Sequence, residues 1–169
     1  MKLHIGGKEK KSGWKILNIQ EEEGVDFVGT ISNLTQFDDN SIDEIYASHV
    51  LEHVGRVEMK STLKGIYRVL KKNGIFYISV PDLDILCKIF IDSKTSLEQK
   101  FDVMRIIFGG QIDKFDFHYF GWNIEILANY LNFSGFRKME RVKNFSLFND
   151  TSNYTPWGIP ISLNVVAYK

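Results

Sequence analysis

The stretch "SIDEIYASHVLEHV" at residues 41–54, followed by "LKGIYRVLKKNGIFYISVPD" at residues 63–82, decides the fold class. Ile42–Ala47 reads as a strand that ends at polar residues. From Val57 to Lys71, apolar side chains recur every three or four residues, as in an amphipathic helix. Ile75–Val80 is a continuous apolar run, typical of a strand buried on both faces of a parallel sheet. Strand, helix and strand in succession predict an α/β domain with a largely parallel sheet.

Shorter elements flank this centre. Further strands are predicted at residues 3–5, 14–19, 25–28, 136–142 and 161–168, and helices at 82–108, in two pieces broken near 92–94, and at 123–133. Lys71–Gly74 combines basic residues with Asn and Gly, which predicts the end of the preceding helix. The link from Ile5 to Trp14 is shorter than a helical crossover needs, so the first helix of the fold is expected to be lost or reduced to one turn.

Composition limits the organisation and the partners. A chain of 169 residues suits one domain, residues 1–169. Lys plus Arg (21) equal Asp plus Glu (21), which argues against a nucleic-acid partner. Cys87 is the only cysteine, so no internal disulfide can form and a reducing cytoplasm is expected. No apolar run is long enough for a signal peptide or a membrane span, so no membrane partner is expected, and nothing in the sequence fixes the oligomeric state.

Three polar or glycine-containing pairs follow predicted strands: Gly6-Gly7, Ser48-His49 and Pro81-Asp82. In an open α/β sheet, ligands bind at the carboxyl ends of the strands, next to the point where the strand order reverses. These pairs are therefore the first candidates for a binding site. Two glycines alone are a weak signal, because most such pairs only make a turn.

The segment His49–His53 matches the H-x-x-E-H signature of one class of zinc peptidases. That signature requires a helix through the motif, so that both histidines face one metal ion. Here the motif follows a strand directly, and Gly55 comes two residues after His53. We therefore expect a strand-to-helix junction and no metal ligands; the alternative is a metallohydrolase that uses His49, His53 and His118.

The two quoted runs, with "GGQIDKFDFHYFGWNIEILANYLNFSGF" at residues 109–136, resemble the class I S-adenosylmethionine-dependent methyltransferases, in their small-molecule and glycan-associated branch. The resemblance is strong over residues 3–82 and looser up to the closing "ISLNVVAYK" at 161–169. It implies a Rossmann-like, seven-stranded, mostly parallel sheet whose last strand is antiparallel. It also implies S-adenosylmethionine as cofactor and methyl transfer to an oxygen or nitrogen of a small-molecule acceptor, with a sugar or glycan precursor as one candidate.

The resemblance also assigns cofactor contacts. They fall on Gly6, Gly7, Asn18, Thr30, Ile31, Ser48 and His49. The glycines would lie beside the methionine part of the cofactor, and Ser48 and His49 beside the reactive methyl group. Asn18 and Thr30 replace acids that the family usually places near the ribose and the adenine. The loss of both acids supports an alternative function, a non-catalytic domain of the same fold that binds a nucleotide or a protein partner.

The candidate catalytic bases are His49 and His118, because histidine titrates closest to neutral pH. Each has an alternative role: His49 could pack or cap the start of the helix, and His118 could belong to an aromatic lid. Residues 82–121 are interpreted as a helical and aromatic segment on the substrate side. The candidate substrate contacts are Pro81, Asp82, Gln111 and Tyr119.

Overall fold

Seven strands form one mixed sheet in the computed structural model, which describes residues 1–169. The strands are β1 (Lys2–Ile5), β2 (Trp14–Asn18), β3 (Phe27–Val28), β4 (Ile42–Ser48), β5 (Leu70–Pro81), β6 (Lys138–Val142) and β7 (Ser162–Tyr168). Their order across the sheet is β3-β2-β1-β4-β5-β7-β6, and β7 runs antiparallel to both of its neighbours. This confirms the predicted Rossmann-like fold with an antiparallel last strand.

One face of the sheet is covered by helices. The helices of the chain are α1 (Met59–Val69), α2 (Leu83–Ile91), α3 (Leu97–Phe108) and α4 (Ile124–Ser134). Leu63 and Ile66 of α1 and Leu127 of α4 belong to the same buried cluster as the inward-facing strand residues Ile45 and Phe76. The 3.6-residue period of these helices therefore places their apolar side chains against the sheet.

The opposite face is covered by residues 143–161, which contain only two short 3₁₀ turns. Trp14, Tyr46 and Phe148 form an aromatic cluster on this face. The Tyr46 hydroxyl donates to Asp150 Oδ2 over 2.8 Å. Asn164 Nδ2 of β7 donates to the carbonyls of Lys143 and Ser152. These two bonds attach residues 143–152 of the covering segment to β7.

No helix lies between β1 and β2, which confirms the expected loss of the first helix. The Gly6 amide donates to the Leu17 carbonyl over 2.8 Å, which continues the parallel pairing of β1 with β2, and a turn begins at Gly6. The carboxyl ends of β1 and β2 are consequently bordered by a short turn at this edge of the sheet.

The predicted helix end at Lys71–Gly74 is wrong, because these residues lie within β5. Helix α1 already ends at Val69, and Leu70 is extended. Pairing between β4 and β5 shifts register here, from Ile42 opposite Leu70 to Glu44 opposite Ile75, so residues 71–74 form a bulge. The ion pair of Lys71 with Asp43 (2.7 Å) crosses from this bulge to β4. The expected left-handed residue does occur, at Asn73 (φ 63°), but inside the strand.

Helices α2 and α3 form a separate pair beyond the end of β5, with the predicted break between them. The Asp82 side chain caps α2, and a reciprocal capping box of Ser96 and Gln99 starts α3. None of the four helices is both long and apolar enough to cross a lipid bilayer.

Candidate functional site

A cavity of about 620 Å³ lies at the carboxyl ends of β1, β2 and β4. Strand β1 pairs with β2 on one side and with β4 on the other, so the strand order reverses at this point. Six of the residues predicted for the site line the cavity: Gly6, Asn18, Thr30, Ile31, His49 and Tyr119. The other six, Gly7, Ser48, Pro81, Asp82, Gln111 and His118, are not among its lining residues.

The two glycines after β1 have different surroundings. Gly6 has φ +74° and lines the cavity, and a Cβ atom there would lie 2.7 Å from Val50 Cγ2. A side chain at Gly6 would therefore meet both an unfavourable backbone conformation and a close neighbour. A Cβ atom at Gly7 would instead meet the ring of buried His4, at 2.3 Å. Gly7 thus allows the loop to pack over β1.

Asn18 is buried at the end of β2, with 7% of its surface exposed. Its Nδ2 donates to the Gly7 carbonyl over 3.2 Å, and its Oδ1 accepts from the Gln20 amide over 3.1 Å. An aspartate could keep the second bond but not the first, because a carboxylate cannot donate. The amide therefore joins the loops after β1 and β2, and it retains one N–H and one lone pair for a ligand.

Thr30 and Ile31 follow β3 and form the neighbouring part of the wall. Ile31 is 5% exposed and belongs to the main core. Ser32, the next residue, also lines the cavity, and its hydroxyl accepts a hydrogen bond from Thr62 of α1 over 3.2 Å. This part of the wall is thereby fixed to α1.

His49 adopts a left-handed backbone conformation (φ 53°) directly after β4, and its amide donates to the Ser79 carbonyl. Its Nε2 lies 3.0 Å from the Ser162 hydroxyl, which itself donates to the Thr151 carbonyl. Ser162 therefore accepts from His49, so Nε2 carries a proton. The other ring nitrogen, Nδ1, lies 3.3 Å from Glu52 Oε1.

Glu52 lies in a one-turn 3₁₀ helix, Leu51–His53, which confirms that the HVLEH segment is a strand-to-helix junction. Its side chain is 1% exposed, and no protein group donates to either carboxylate oxygen with hydrogen-bond geometry. Burial, the largest influence, raises the pKa of this carboxyl, but the contact with His49 and the charges of His49, His53 and His118 lower it overall. Positive charge beside this carboxyl would therefore stabilise its ionised form.

His118 lies behind the cavity wall, along a small crevice that it shares with Pro81 and Phe120. Its Nδ1 lies 2.9 Å from the Ile106 carbonyl, and its ring meets the His53 ring edge to face at 4.6 Å. Burial lowers the pKa of His118, which favours its neutral form. The structure thus brings His118 to the HVLEH segment rather than to the cavity itself.

Asp82 and Gln111 make contacts within the protein. Asp82 is 2% exposed, accepts from the Asp84 and Ile85 amides, and pairs with Arg141 Nη2 at 2.7 Å. Gln111 is exposed, and its side chain folds back to the Phe108 carbonyl.

Several lining residues carried no signal of their own in the sequence. They include Lys8, Gln20, Val50, Glu58 and residues 112–116. Gln20 could have been found as the second residue after β2, and residues 112–116 as part of the aromatic segment. Glu58 could not, because it reaches the cavity only through the packing of α1.

The comparisons with known proteins agree with this geometry. Residues 9–78 match the model of a family described as "Methyltransferase domain". No curated protein matches the chain. Among solved structures, an S-adenosylmethionine-dependent methyltransferase from Archaeoglobus fulgidus is 17% identical, with a TM-score of 0.61, and the match covers 99% of this chain and 85% of that one.

Two further solved structures have the same fold. One is a 1,6-didemethyltoxoflavin-N1-methyltransferase from Burkholderia thailandensis with bound 1,6-didemethyltoxoflavin and S-adenosylhomocysteine (16% identity, TM-score 0.61, 99% of this chain and 70% of that one). The other is an S-adenosylmethionine-dependent methyltransferase from Mesorhizobium loti (15% identity, TM-score 0.58, 99% and 90%). Residues 9–78 thus resemble this family of methyltransferase domains, and the solved structures share the fold of the whole chain.

Proposed function

We propose that this chain transfers a methyl group from S-adenosylmethionine to an oxygen or nitrogen atom of a small molecule. The observation that carries the proposal is the cavity where the strand order reverses, lined by Gly6, Asn18, Thr30 and His49. Its volume of about 620 Å³ lies within the range of small-molecule sites, about 300–1,000 Å³.

The lining residues fit the cofactor. Gly6 has no side chain, which leaves room for the methionine part, and the free N–H and lone pair of Asn18 suit the ribose hydroxyls. Thr30 and the apolar Ile31 border the position of the adenine in this proposal. An amide and a hydroxyl replace two charged acceptors, so we expect weaker binding than in relatives with acids at both positions.

When bound, S-adenosylmethionine supplies a methyl group on a sulfonium, which passes to the acceptor atom while the neutral thioether leaves. An acceptor hydroxyl must lose its proton in this step. His49 is the proposed proton acceptor, at Nδ1, because the contact with Ser162 leaves that nitrogen free of a proton when the ring is neutral. Glu52, 3.3 Å away, would stabilise the imidazolium that forms.

An aromatic surface supports the proposal that residues 82–121 form the acceptor side, and that a sugar or glycan precursor is one candidate. Tyr119 lines the cavity with 61% of its surface exposed, and the Phe117 ring stacks parallel to it, at 6.4 Å between centroids. Aromatic faces of this kind pack against sugar rings. A Tyr119→Ala variant should raise the KM for the acceptor and leave the affinity for the cofactor unchanged.

Calorimetry of the purified chain with S-adenosylmethionine and S-adenosylhomocysteine tests the proposal. We expect both to bind, and a His49→Gln variant still to bind them, because Gly6, Asn18 and Thr30 remain. With a cofactor labelled in the methyl group and a panel of sugars, amines and phenols, that variant should transfer about 10²–10⁴ times more slowly. No binding of either form at millimolar concentration would favour the non-catalytic alternative.

The single cysteine, Cys87, is the support for proposing a cytoplasmic location.

A further inference from the structure

Glu52, His53 and His118 converge beside the cavity. One potential ligand atom from each side chain lies within 4.8 Å of the others. The amides of Tyr119 and Phe120 donate to the Glu52 carbonyl over 2.8 and 3.2 Å, and so hold the segment that carries His118 against the HVLEH segment. The arrangement therefore rests on backbone contacts between two parts of the chain that are far apart in sequence.

The tautomers of both histidines are fixed by their neighbours. His53 Nδ1 lies 3.1 Å from the Phe117 carbonyl, and His118 Nδ1 lies 2.9 Å from the Ile106 carbonyl. A carbonyl only accepts, so each Nδ1 carries a proton, and in the neutral ring each Nε2 keeps its lone pair. Histidines that bind metals typically donate their other ring N–H to a carbonyl or carboxylate in this way.

The Glu52 carboxylate is the second observation that points to a cation. It is 1% exposed, and neither oxygen receives a hydrogen bond from the protein. Burying a carboxylate without hydrogen-bond donors costs on the order of several kcal/mol, unless a nearby cation offsets this cost. The nearest ring nitrogen is His49 Nδ1, which lies 3.3 Å from Oε1.

We propose that Glu52, His53 and His118 bind one divalent first-row transition-metal ion, with zinc as the first candidate. Two histidines and one glutamate make up known zinc sites that keep an open fourth position. In tetrahedral geometry, ligand atoms at about 2.1 Å from a zinc ion lie roughly 3.4 Å apart, so binding must draw the three side chains together by about 1 Å. The proposal contradicts the expectation from the sequence that the chain has no metal ligands, and it uses Glu52 in place of His49.

The position of the ion suggests its role. His53 lines the cavity, so the open coordination position would adjoin the place where the acceptor binds. An acceptor hydroxyl bound there would lose its proton more easily, with His49 as the proton acceptor. This role rests on the proposed methyl transfer, whereas binding of the metal does not.

The test uses the untagged full chain, stripped with a chelator and then titrated with zinc chloride alone by calorimetry. We expect one ion per chain and a rise in the unfolding temperature. His53→Ala and His118→Ala should each weaken zinc binding by at least about 100-fold. In known sites, loss of a residue that only hydrogen-bonds to a metal ligand weakens binding by roughly 10- to 100-fold. His49→Gln, the nearest histidine outside the set, should leave zinc binding intact.

Cobalt chloride gives an independent measurement, because Co²⁺ on two histidines and a carboxylate absorbs visible light. The spectrum should disappear in Glu52→Gln. If that variant fails to fold, His53→Ala decides, since the His53 ring lies at the cavity wall and is only half-buried. No zinc binding by the wild type, or loss of binding in His49→Gln alone, would overturn the proposal. Zinc binding without any binding of S-adenosylmethionine would leave the metal site standing while the proposed function fails.

Discussion

His49 Nδ1 lies 3.3 Å from Glu52 Oε1 because the left-handed backbone at His49 turns the chain sharply after β4. A right-handed or extended residue at this position would direct the following turn elsewhere. The relationship between the proposed proton acceptor and the buried carboxylate therefore depends on one unusual backbone angle, φ 53°.

Two substitutions at His49 isolate that angle. Both Ala and Gly remove the ring and its contacts, but only Gly adopts positive φ at no steric cost. We expect His49→Ala to be less stable than His49→Gly by about 1 kcal/mol, the reverse of their order inside a regular helix or strand. Chemical denaturation of the two variants measures this difference. Equal stabilities would mean that the left-handed conformation is not kept in solution.

Asp82 was a candidate substrate residue, and its contacts predict a structural effect instead. Asp82→Ala removes the cap of α2 and leaves Arg141 without its partner, so the free energy of unfolding should fall by about 2 kcal/mol. Asp82→Asn keeps an oxygen for the cap and should lose less than half as much. The affinity for S-adenosylmethionine should stay the same in both. A drop in that affinity at unchanged stability would restore Asp82 to the site.

Thr30 offers a direct test of the missing acid. A carboxylate at this position of the cavity wall could accept a charge-assisted hydrogen bond from the adenine, worth about 1 kcal/mol more than a neutral bond. We expect Thr30→Asp to tighten binding of S-adenosylmethionine about fivefold in calorimetry. Thr30→Asn, of the same shape without the charge, is the control and should gain less. Weaker binding in Thr30→Asp would place the adenine elsewhere.

His4 predicts how stability depends on pH. Burial against Tyr46 and Phe148 lowers the pKa of His4 from 6.5 to about 4. As the pH falls from 6.5 towards 4, the unfolded chain binds a proton that the folded chain does not, so the folded state loses stability. At 1.36 kcal/mol per pKa unit the loss is on the order of 3 kcal/mol. Denaturation curves at several pH values should show this loss in the wild type.

His4→Phe is the matched variant for that experiment, because phenylalanine keeps an aromatic ring beside Tyr46 and Phe148 and has no proton to bind. Its stability should change less than that of the wild type between pH 6.5 and 4. Parallel curves for the two proteins would show that His4 is protonated, and exposed, in the folded state.

The sequence predicted most of the fold because the decisive signals are local. A continuous apolar run identified the strand at residues 75–80, a period of about 3.6 residues identified the helix before it, and the short link after β1 predicted the missing helix. The predicted end of α1 was wrong because of a contact with another strand: β5 pairs with β4 in a shifted register, and Lys71–Gly74 form a bulge. Half of the predicted site residues line the cavity, namely those at the ends of β1, β2 and β4, after β3, and in the aromatic segment.

What the sequence by itself determined is the α/β class, the seven-stranded sheet with an antiparallel last strand that the resemblance implied, and the edge of the sheet where ligands bind. Only the tertiary structure decided that Asp82 pairs with Arg141, that residues 143–161 cover the second face, and that His118 meets Glu52 and His53. The physical reason is that local patterns encode backbone conformation and which side of an element is buried. Contacts between side chains separated by tens of residues depend on the path of the whole chain, and the HVLEH segment obtains its chemical neighbours from that path.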